Sequence, residues 1–250
     1  MVWLYGTHAC MAALLNPRRK VEGLWCTDSV FQKLEEEGIT RESFFLAKNS
    51  KNTIQIVDKK VLNSLLKGEV PHQGIVLKAQ TLPTEPLEFL KEAEAPNQIV
   101  LLLDHVTDSQ NVGSILRLCL AFHVEALVMT RAHAPSENGG MAKSASGAFE
   151  SVPRCIVSNL AEALRTLKSF GFWCVGLSEE ATQPLRSLDL RGKIALVMGS
   201  EGEGLRPLTQ DLCDFEAFLP TSSKFSTLSV TTATAIALYE AFLAKNPLSL

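Results

Sequence analysis

The segment IVLLLD at residues 99–104 is an unbroken apolar run that ends in a single carboxylate. A strand with one face in water alternates apolar and polar residues, whereas a strand buried on both faces is apolar throughout. The series continues along the chain with EALVM, VPRCIV, FWCVGL, IALVM and FEAFL, and helices are predicted near residues 110–122, 160–170 and 228–244. This alternation of strand and helix predicts an α/β fold with a largely parallel sheet.

Shorter elements alternate in the amino-terminal part of the chain. Apolar periodicity predicts its helices, and Asp28 is the expected cap of the second one. The predicted elements are helices over residues 8–15, 28–37 and 59–66 and strands over residues 21–27, 53–57 and 74–79. Residues 1–78 are therefore expected to form a small α/β domain.

Residues 79–97 contain three prolines and an acidic run. This composition is typical of an interdomain linker, although a plain surface loop would have the same composition. The predicted organisation is thus an amino-terminal domain over residues 1–78, a linker over residues 79–97 and a larger domain over residues 98–250.

Composition excludes several classes of protein. Hydrophobic residues make up 46% of the 250 residues and charged residues 20%, which is typical of a soluble globular protein. The net charge of −3 means that any nucleic-acid site must be a local basic patch. The six cysteines are scattered without a C-x-x-C pair, so we expect reduced thiols in a cytoplasmic protein and no metal site. The first residues, MVWLYGTH, predict neither a signal peptide nor a membrane span.

Unusual residues follow three of the predicted strands, where ligands bind in parallel α/β sheets. The first stretch is LDHVTDSQNVGSILRL, residues 103–118. Asp108 or Ser109 can cap the following helix, Gly113 permits a close approach, and Arg117 lies two turns along. A capped helix with one surface arginine accounts for these residues equally well.

The second stretch is LVMGSEGEGL, residues 196–205, in which glycines alternate with Glu201 and Glu203. Glycine-rich turns after strands usually cradle phosphate, but two carboxylates would repel it. A cationic ligand that presents hydroxyls and amines, such as S-adenosylmethionine, fits better. A tight left-handed turn that begins a helix at Leu205 is the alternative.

The third stretch, FLPTSSKFSTLSVTTATAIALYEAF at residues 218–242, joins a strand to an apolar helix through a loop rich in hydroxyls. Such hydroxyls ordinarily cap the helix and satisfy the backbone.

Together the three stretches resemble the signature motifs of the SpoU/TrmH-type ribose methyltransferases of the SPOUT superfamily. The first has Asn111, Gly113 and Arg117 in the pattern N-x-G-x-x-x-R, and the second has GSEGEGL. At the front, YGTHACMAALLNP and PHQGIVLKA resemble the amino-terminal RNA-binding module of the RlmB-like branch.

The resemblance implies a catalytic domain whose carboxyl end forms a deep trefoil knot, and a homodimer with the active site near the subunit contact. It implies S-adenosylmethionine as cofactor, held mainly by backbone groups. The implied reaction is methyl transfer to a ribose 2′-hydroxyl, that of a guanosine in large-subunit rRNA.

Carried over position by position, the resemblance implies roles for individual residues. The implied catalytic positions are Asn111, Arg117, Glu201, Ser229 and Thr231. The implied cofactor-binding positions are Met198, Gly199, Ser200, Leu219 and Leu228. A guanidinium is a very weak base. We therefore expect Arg117 to position the substrate and stabilise charge.

Contact with RNA is expected from local basic side chains. Arg18 and Arg19 form a small cluster with Lys20, and Lys143 and Arg154 lie farther along. Each of these could equally be an ordinary solvated surface charge.

The third motif departs from the family, which commonly has S-L-N-V-S where this chain has TLSVT at residues 227–231. Ser229 replaces the usual asparagine, and Ser223 and Ala235 replace glycines. These changes motivate a second hypothesis, a catalytically silent RNA-binding or ribosome-assembly factor. A dinucleotide-binding enzyme is disfavoured because no G-x-G-x-x-G turn follows the early strands.

Overall fold

The structure is a computed structural model that describes residues 1–40, 54–92, 95–222 and 227–246. The chain divides into two compact units. The first unit comprises Met1–Pro83 and Ser136–Ser151, and the second comprises Thr84–Pro135 and Val152–Leu250.

Strands and helices alternate along nearly the whole chain, as the sequence predicts. In chain order they are β1 (Val2–Tyr5), α1 (Thr7–Leu15), β2 (Val21–Cys26), α2 (Asp28–Glu36), β3 (Ile54–Ile56), α3 (Lys59–Leu65), β4 (Ile75–Ala79), α4 (Phe89–Glu92), β5 (Gln98–Leu103), α5 (Ser109–Ala121), β6 (Ala126–Thr130), α6 (Gly139–Ala145), β7 (Arg154–Val157), α7 (Leu160–Ser169), β8 (Trp173–Leu177), β9 (Lys193–Met198), α8 (Pro207–Asp211), β10 (Phe215–Ala217) and α9 (Val230–Lys245). The predicted cap of α2 is wrong by one residue, because Thr27 is the N-cap and Asp28 is the first helical residue.

The first unit has a mixed sheet in the order β1-β4-β2-β3. Strand β4 is antiparallel to both of its neighbours, and β2 is parallel to β3. On β1, buried Val2 and Leu4 alternate with the partly exposed Trp3 and Tyr5. The sheet therefore has one face in a hydrophobic core, which also includes residues of α1 and α2.

Helix α6 belongs to this first unit although it follows β6 in the sequence. Its first residue, Gly139, lies so close to β1 that a Cβ there would be 2.6 Å from the carbonyl oxygen of Trp3. Arg19 is 1% exposed, and its guanidinium pairs at 2.5 Å with both Glu137 and Glu150. These contacts explain why residues 136–151 pack with the first unit, whereas the sequence places them within the larger domain.

The predicted linker, residues 79–97, is divided between the two units at Pro83. In the second unit, Leu87 and Leu90 are buried in the hydrophobic core. The backbone N–H of Glu85 donates to the carbonyl of Arg154 at 2.9 Å. Residues 85–90 are therefore packed within the second unit.

The second unit has a sheet in the order β10-β8-β9-β5-β6-β7, and every neighbouring pair is parallel. Strands β5 and β9 pair over their full lengths, from Gln98 opposite Lys193 to Leu103 opposite Met198. All residues of β5 are buried, which confirms the interpretation of its apolar run. The chain leaves β5 toward β6 on one side and β9 toward β10 on the other. The carboxyl ends of β5 and β9 therefore form the kind of crevice where such sheets bind ligands.

No disulfide joins any two of the six cysteines, all of which the structure describes, and all but Cys213 are buried. Burial raises the pKa of the Cys155, Cys174 and Cys213 thiols to about 12. Among the helices of the described ranges, none has the length and apolar character needed to cross a membrane.

Candidate active site

Asp104 follows β5 directly and is fully buried at the carboxyl edge of the sheet. Its Oδ1 accepts the Arg206 Nε–H at 2.7 Å, and its Oδ2 accepts the Arg206 backbone N–H at 3.1 Å. Its own backbone N–H donates to the carbonyl of Met198 at 2.8 Å. Asp104 thus holds both ends of the turn between Met198 and Arg206.

The glycine-rich turn is closed by two backbone hydrogen bonds between Ser200 and Gly204, at 3.2 and 3.1 Å. Gly202 and Gly204 have φ angles of 91° and 67°, in the region that favours glycine. A Cβ at Gly199 would be 2.5 Å from the backbone nitrogen of Leu205. The tight folding of this turn therefore explains why glycines occupy these positions. The helix that follows the turn begins at Pro207 rather than at Leu205.

The turn is tied to the amino end of α9 through Glu201. Its Oε1 accepts the backbone N–H of Val230 at 3.1 Å, while Ser229 caps the helix by accepting the N–H of Thr232 at 3.2 Å. Two orphan donors of the first turn are thereby satisfied, and the exposed carboxylate lies at the positive end of the helix dipole.

The first motif reaches the same place through α5. Asp108 caps this helix by accepting the N–H of Asn111 at 2.8 Å, as predicted. The side-chain oxygen of Asn111 accepts the Thr231 hydroxyl at 3.3 Å. Asn111 and Glu201 are therefore both hydrogen-bonded to the first turn of α9, so the structure brings the three predicted motifs together.

Arg117 is not part of this hydrogen-bonded group. It lies six residues beyond Asn111, about 9 Å along the helix axis and on a different side. Its side chain is exposed, and no ion pair or hydrogen bond joins its guanidinium to another residue of the described ranges. Leu120, one turn farther on, is 47% exposed.

Helices α5 and α9 run side by side in the same direction. Thr231 meets Asn111 near their amino ends, and the ring of Tyr239 lies 6.2 Å from that of Phe122 near their carboxyl ends. The exposed faces of the pair carry apolar side chains. These are Leu120, Ile236 and Tyr239, which are 47%, 39% and 48% exposed.

The predicted cofactor-binding residues lie at the end of β9, just after β10 and just before α9. Met198 ends β9 and is buried, and Leu219 and Leu228 are partly buried. Within the ranges that the structure describes, the backbone N–H and C=O groups of Gly199, Leu219 and Leu228 have no hydrogen-bond partner. Ser223 lies outside the described residues. A ligand held by backbone groups therefore fits these residues.

The prediction that Arg19 contacts RNA is wrong, because its guanidinium is buried against two carboxylates and cannot reach a phosphate. Arg18 is exposed. The Lys143 ammonium donates to the carbonyl of Pro71 at 2.8 Å, and Arg154 is partly buried at the start of β7. The sequence offered no signal for the buried cluster, since its two carboxylates lie more than a hundred residues away.

Sequence reasoning also missed Asp104 and the histidine beside it. A carboxylate that ends a buried strand was a usable signal for Asp104. His105 has a left-handed φ of 61°, and its ring lies 3.6 Å from that of His133. Burial, with a smaller contribution from Arg206, lowers the pKa of His105. Its Nε2 is buried without a hydrogen-bond partner in the described part of the chain.

Solved structures share this architecture. The SpoU methyltransferase AviRb from Streptomyces viridochromogenes, in complex with the cofactor AdoMet, superposes with a TM-score of 0.75 at 21% identity, over 96% of this chain and 88% of that chain. The TrmH/SpoU tRNA modifying enzyme of A. aeolicus is 28% identical with a TM-score of 0.53, over 63% of this chain and 81% of that chain. The second unit thus has the fold of the SpoU/TrmH methyltransferases.

The chain belongs to the SpoU rRNA methylase family, whose sequence profile matches residues 98–239. Residues 3–84 match the profile of the RNA 2′-O ribose methyltransferase substrate-binding domain. The chain is 35% identical to the 23S rRNA (guanosine-2′-O-)-methyltransferase RlmB of Pseudomonas aeruginosa, over 98% of this chain and 97% of the relative. The same enzyme of Photorhabdus laumondii is 37% identical, over 95% and 96%.

Proposed function

We propose that this protein is an S-adenosylmethionine-dependent methyltransferase that methylates the ribose 2′-hydroxyl of a guanosine in 23S rRNA, as a homodimer in the cytoplasm. In this proposal residues 1–78 bind the RNA, residues 79–97 connect, and residues 98–250 carry the reaction. The convergence of Asn111, Glu201 and Thr231 on the first turn of α9 is the observation that carries it.

The cofactor, when bound, supplies a methyl group on a positively charged sulfonium. The backbone groups of Gly199, Leu219 and Leu228, to which no described residue is hydrogen-bonded, would hold it, with Met198 and Ser200 beside them. The exposed carboxylates of Glu201 and Glu203 favour a cation at this turn and disfavour a phosphate.

Asn111 and Thr231 fix one another through their hydrogen bond, so either can present a polar group to the ribose in a defined orientation. Ser229 is shorter than the asparagine usual in the family, and its hydroxyl is engaged in capping α9. In this proposal Ser229 therefore contributes chiefly by holding the first turn of the helix in place.

Arg117 contributes a positive charge in this proposal rather than acting as a base. It would orient the RNA through a phosphate and stabilise the alkoxide character that develops on the ribose oxygen. Arg117 is three residues from Leu120, so both lie on one side of α5.

A homodimer is supported by the exposed apolar residues of α5 and α9. Such residues on two adjacent helices are typical of an interface, and pairing there would bring Arg117 to the subunit contact. We further propose that the carboxyl end of the catalytic domain forms the deep trefoil knot of the superfamily. Substituting Tyr239→Glu should convert the dimer to a monomer in light scattering, whereas Trp173→Glu, at a somewhat more exposed aromatic residue of β8, should leave the dimer intact.

The proposed RNA contacts, besides the amino-terminal domain as a whole, are Arg18, Lys143 and Arg154. Alanine at Arg18 should reduce the salt dependence of RNA binding by nearly one phosphate contact. An unchanged slope would remove Arg18 from the interface.

The deciding experiment maps ribose methylation in 23S rRNA from cells that lack the native enzyme and carry either the unaltered protein or Arg117→Ala. The unaltered protein should restore one methylated guanosine and the variant should not. Isothermal titration should show micromolar binding of S-adenosylmethionine to both proteins.

The departures in the third motif favour one competitor, the catalytically silent RNA-binding or ribosome-assembly factor. Restored ribosome assembly without any new methylation, by the unaltered protein and by Arg117→Ala alike, would support that competitor and reject the enzyme.

A further inference from the structure

The sheet of the first unit has a second face that looks away from its core. Because residues directly opposite one another share a face, the strand register places Trp3, Lys78 and Gly23 side by side on it, on β1, β4 and β2. Trp25 follows two residues after Gly23 on the same face, opposite Val76.

The indole of Trp25 lies over its own strand. A Cβ at Gly23 would be only 2.5 Å from the edge of that ring, so the glycine leaves the space into which the indole folds. The ring centroids of Trp3 and Trp25 are 5.3 Å apart, and the planes are tilted by 56°. Val76 is fully buried, whereas both indoles remain partly exposed. The two rings thus form an open aromatic notch above the centre of the sheet.

Positive charge adjoins this notch. The Lys78 ammonium lies 5.8 Å from the centroid of Trp3, is 38% exposed, and approaches Glu22 only to 3.7 Å. Lys20 is exposed just before β2, and its carbonyl accepts the backbone N–H of Gln80 at the end of β4. Lys78 therefore borders the notch, Lys20 lies beside the end of the same strand, and Glu22 is the carboxylate that pairs with Lys78 among the described residues.

We propose that the Trp3–Trp25 notch is a stacking platform for an unpaired base of the RNA substrate, with Lys78 and Lys20 on the adjoining phosphates. The proposal rests on the proposed function, because it assumes an RNA substrate. Aromatic rings offer a base an apolar π face, and ammonium groups match the backbone charge. A base within a duplex has its faces covered by its neighbours, so the platform selects single-stranded or looped RNA.

The test uses a short single-stranded oligoribonucleotide of mixed sequence, labelled at one end, and the same strand in a duplex. Trp25→Leu keeps an apolar cover for Val76 but removes the π face, and should weaken single-strand binding about ten-fold, as expected for one lost base stack. Trp25→Phe keeps a ring and should retain most of the affinity. Lys78→Ala should lower the salt slope for the single strand by about 0.7.

Trp173→Leu is the matched control, because Trp173 is an exposed tryptophan of the second unit, and it should change nothing. Unchanged single-strand affinity in Trp25→Leu, or an equal loss for the duplex, overturns the platform. Dissociation of the dimer by Trp25→Leu would assign the face to a second copy of the chain and also overturn the proposal. Cofactor binding is measured separately by titration, so failure of the proposed function would be seen independently of these results.

Discussion

Carboxylates tie together distant parts of the chain in both units, but under opposite conditions. In the first unit, Glu137 and Glu150 meet the guanidinium of Arg19 in a cluster whose side chains are at most 4% exposed. In the second unit, Glu201 is exposed to solvent where it accepts the Val230 N–H. The same type of group is thus sealed from water in one place and open to it in the other.

We therefore expect the buried cluster to matter for folding stability and the exposed Glu201 contact to matter for function. A buried charge whose partner is removed has no water to replace it, so breaking the Arg19 cluster must cost folding free energy. An exposed carboxylate is rehydrated when its contact is lost, so the fold tolerates the change. Loss of the Glu201 contact should instead disturb the placement of Asn111, Thr231 and the glycine-rich turn, which together with Glu201 form the open network.

The largest expected effect follows from removing the positive charge of Arg19 from its buried cluster with Glu137 and Glu150. Arg19→Met leaves two buried carboxylates without their partner and should lower the free energy of unfolding by about 3–5 kcal/mol. Urea denaturation followed by tryptophan fluorescence measures this, since Trp3 and Trp25 belong to the first unit. Arg18→Met, at the exposed neighbour, should stay within about 0.5 kcal/mol. Equal stability of the two variants would contradict the comparison.

The open network should show the reverse pattern. Glu201→Ala removes the acceptor that holds α9 to the turn and should reduce methyl transfer about a hundred-fold, because small misplacements at a reacting centre are that costly. Single-turnover methylation measures the loss, and the unfolding free energy should change by less than about 1 kcal/mol. Glu201→Gln retains an acceptor oxygen and should keep much of the rate. A loss of unfolding free energy as large as that of Arg19→Met would show that Glu201 also acts mainly on stability, which would contradict the comparison.

Asp104 sharpens the comparison because its carboxylate is fully buried while its partner Arg206 is 42% exposed on its side chain. Asp104→Asn keeps the shape but removes the charge, and should lower the unfolding free energy by roughly 2 kcal/mol. Thermal unfolding of the variant beside Asp189→Asn, at a surface ion pair, provides the control. No difference between these two variants would show that the burial of Asp104 carries no energetic weight.

The smallest effect concerns pH. Burial first, and then Arg206, lower the pKa of His105 below the unfolded value of about 6.5. The unfolded chain therefore binds more protons, so stability is complete above this pH and declines as the pH falls through it. The melting temperature should fall between about pH 7.5 and about pH 5.5, and less steeply in His105→Asn. Asparagine tolerates the left-handed backbone at this position.

His72, in the first unit, should change stability with pH in the same direction, because burial lowers its pKa as well. A part of the pH dependence should therefore survive in His105→Asn and disappear when His72→Asn is added. A slope that is identical in the unaltered protein and in the double variant would contradict the assignment.

Local pattern was sufficient for most of the fold. The apolar runs of β5 and β9 predict buried parallel strands, and the cap at Asp108 follows from a carboxylate just before a helical period. Residue types and order were enough to recognise the three motifs. The individual catalytic and cofactor-binding roles stay predictions, since they concern groups that bind only when substrate and cofactor are present.

The sequence by itself determined the alternation of strands and helices, the parallel sheet and the glycine turn, because each depends on neighbours within a few residues. Only the tertiary structure decided that Arg19 is buried against Glu137 and Glu150 instead of being available to RNA. It also decided that residues 136–151 join the first unit and that Glu201 accepts the backbone N–H of Val230. These outcomes depend on which distant charges become neighbours once water is excluded. No local pattern records that, because charge and burial act through space.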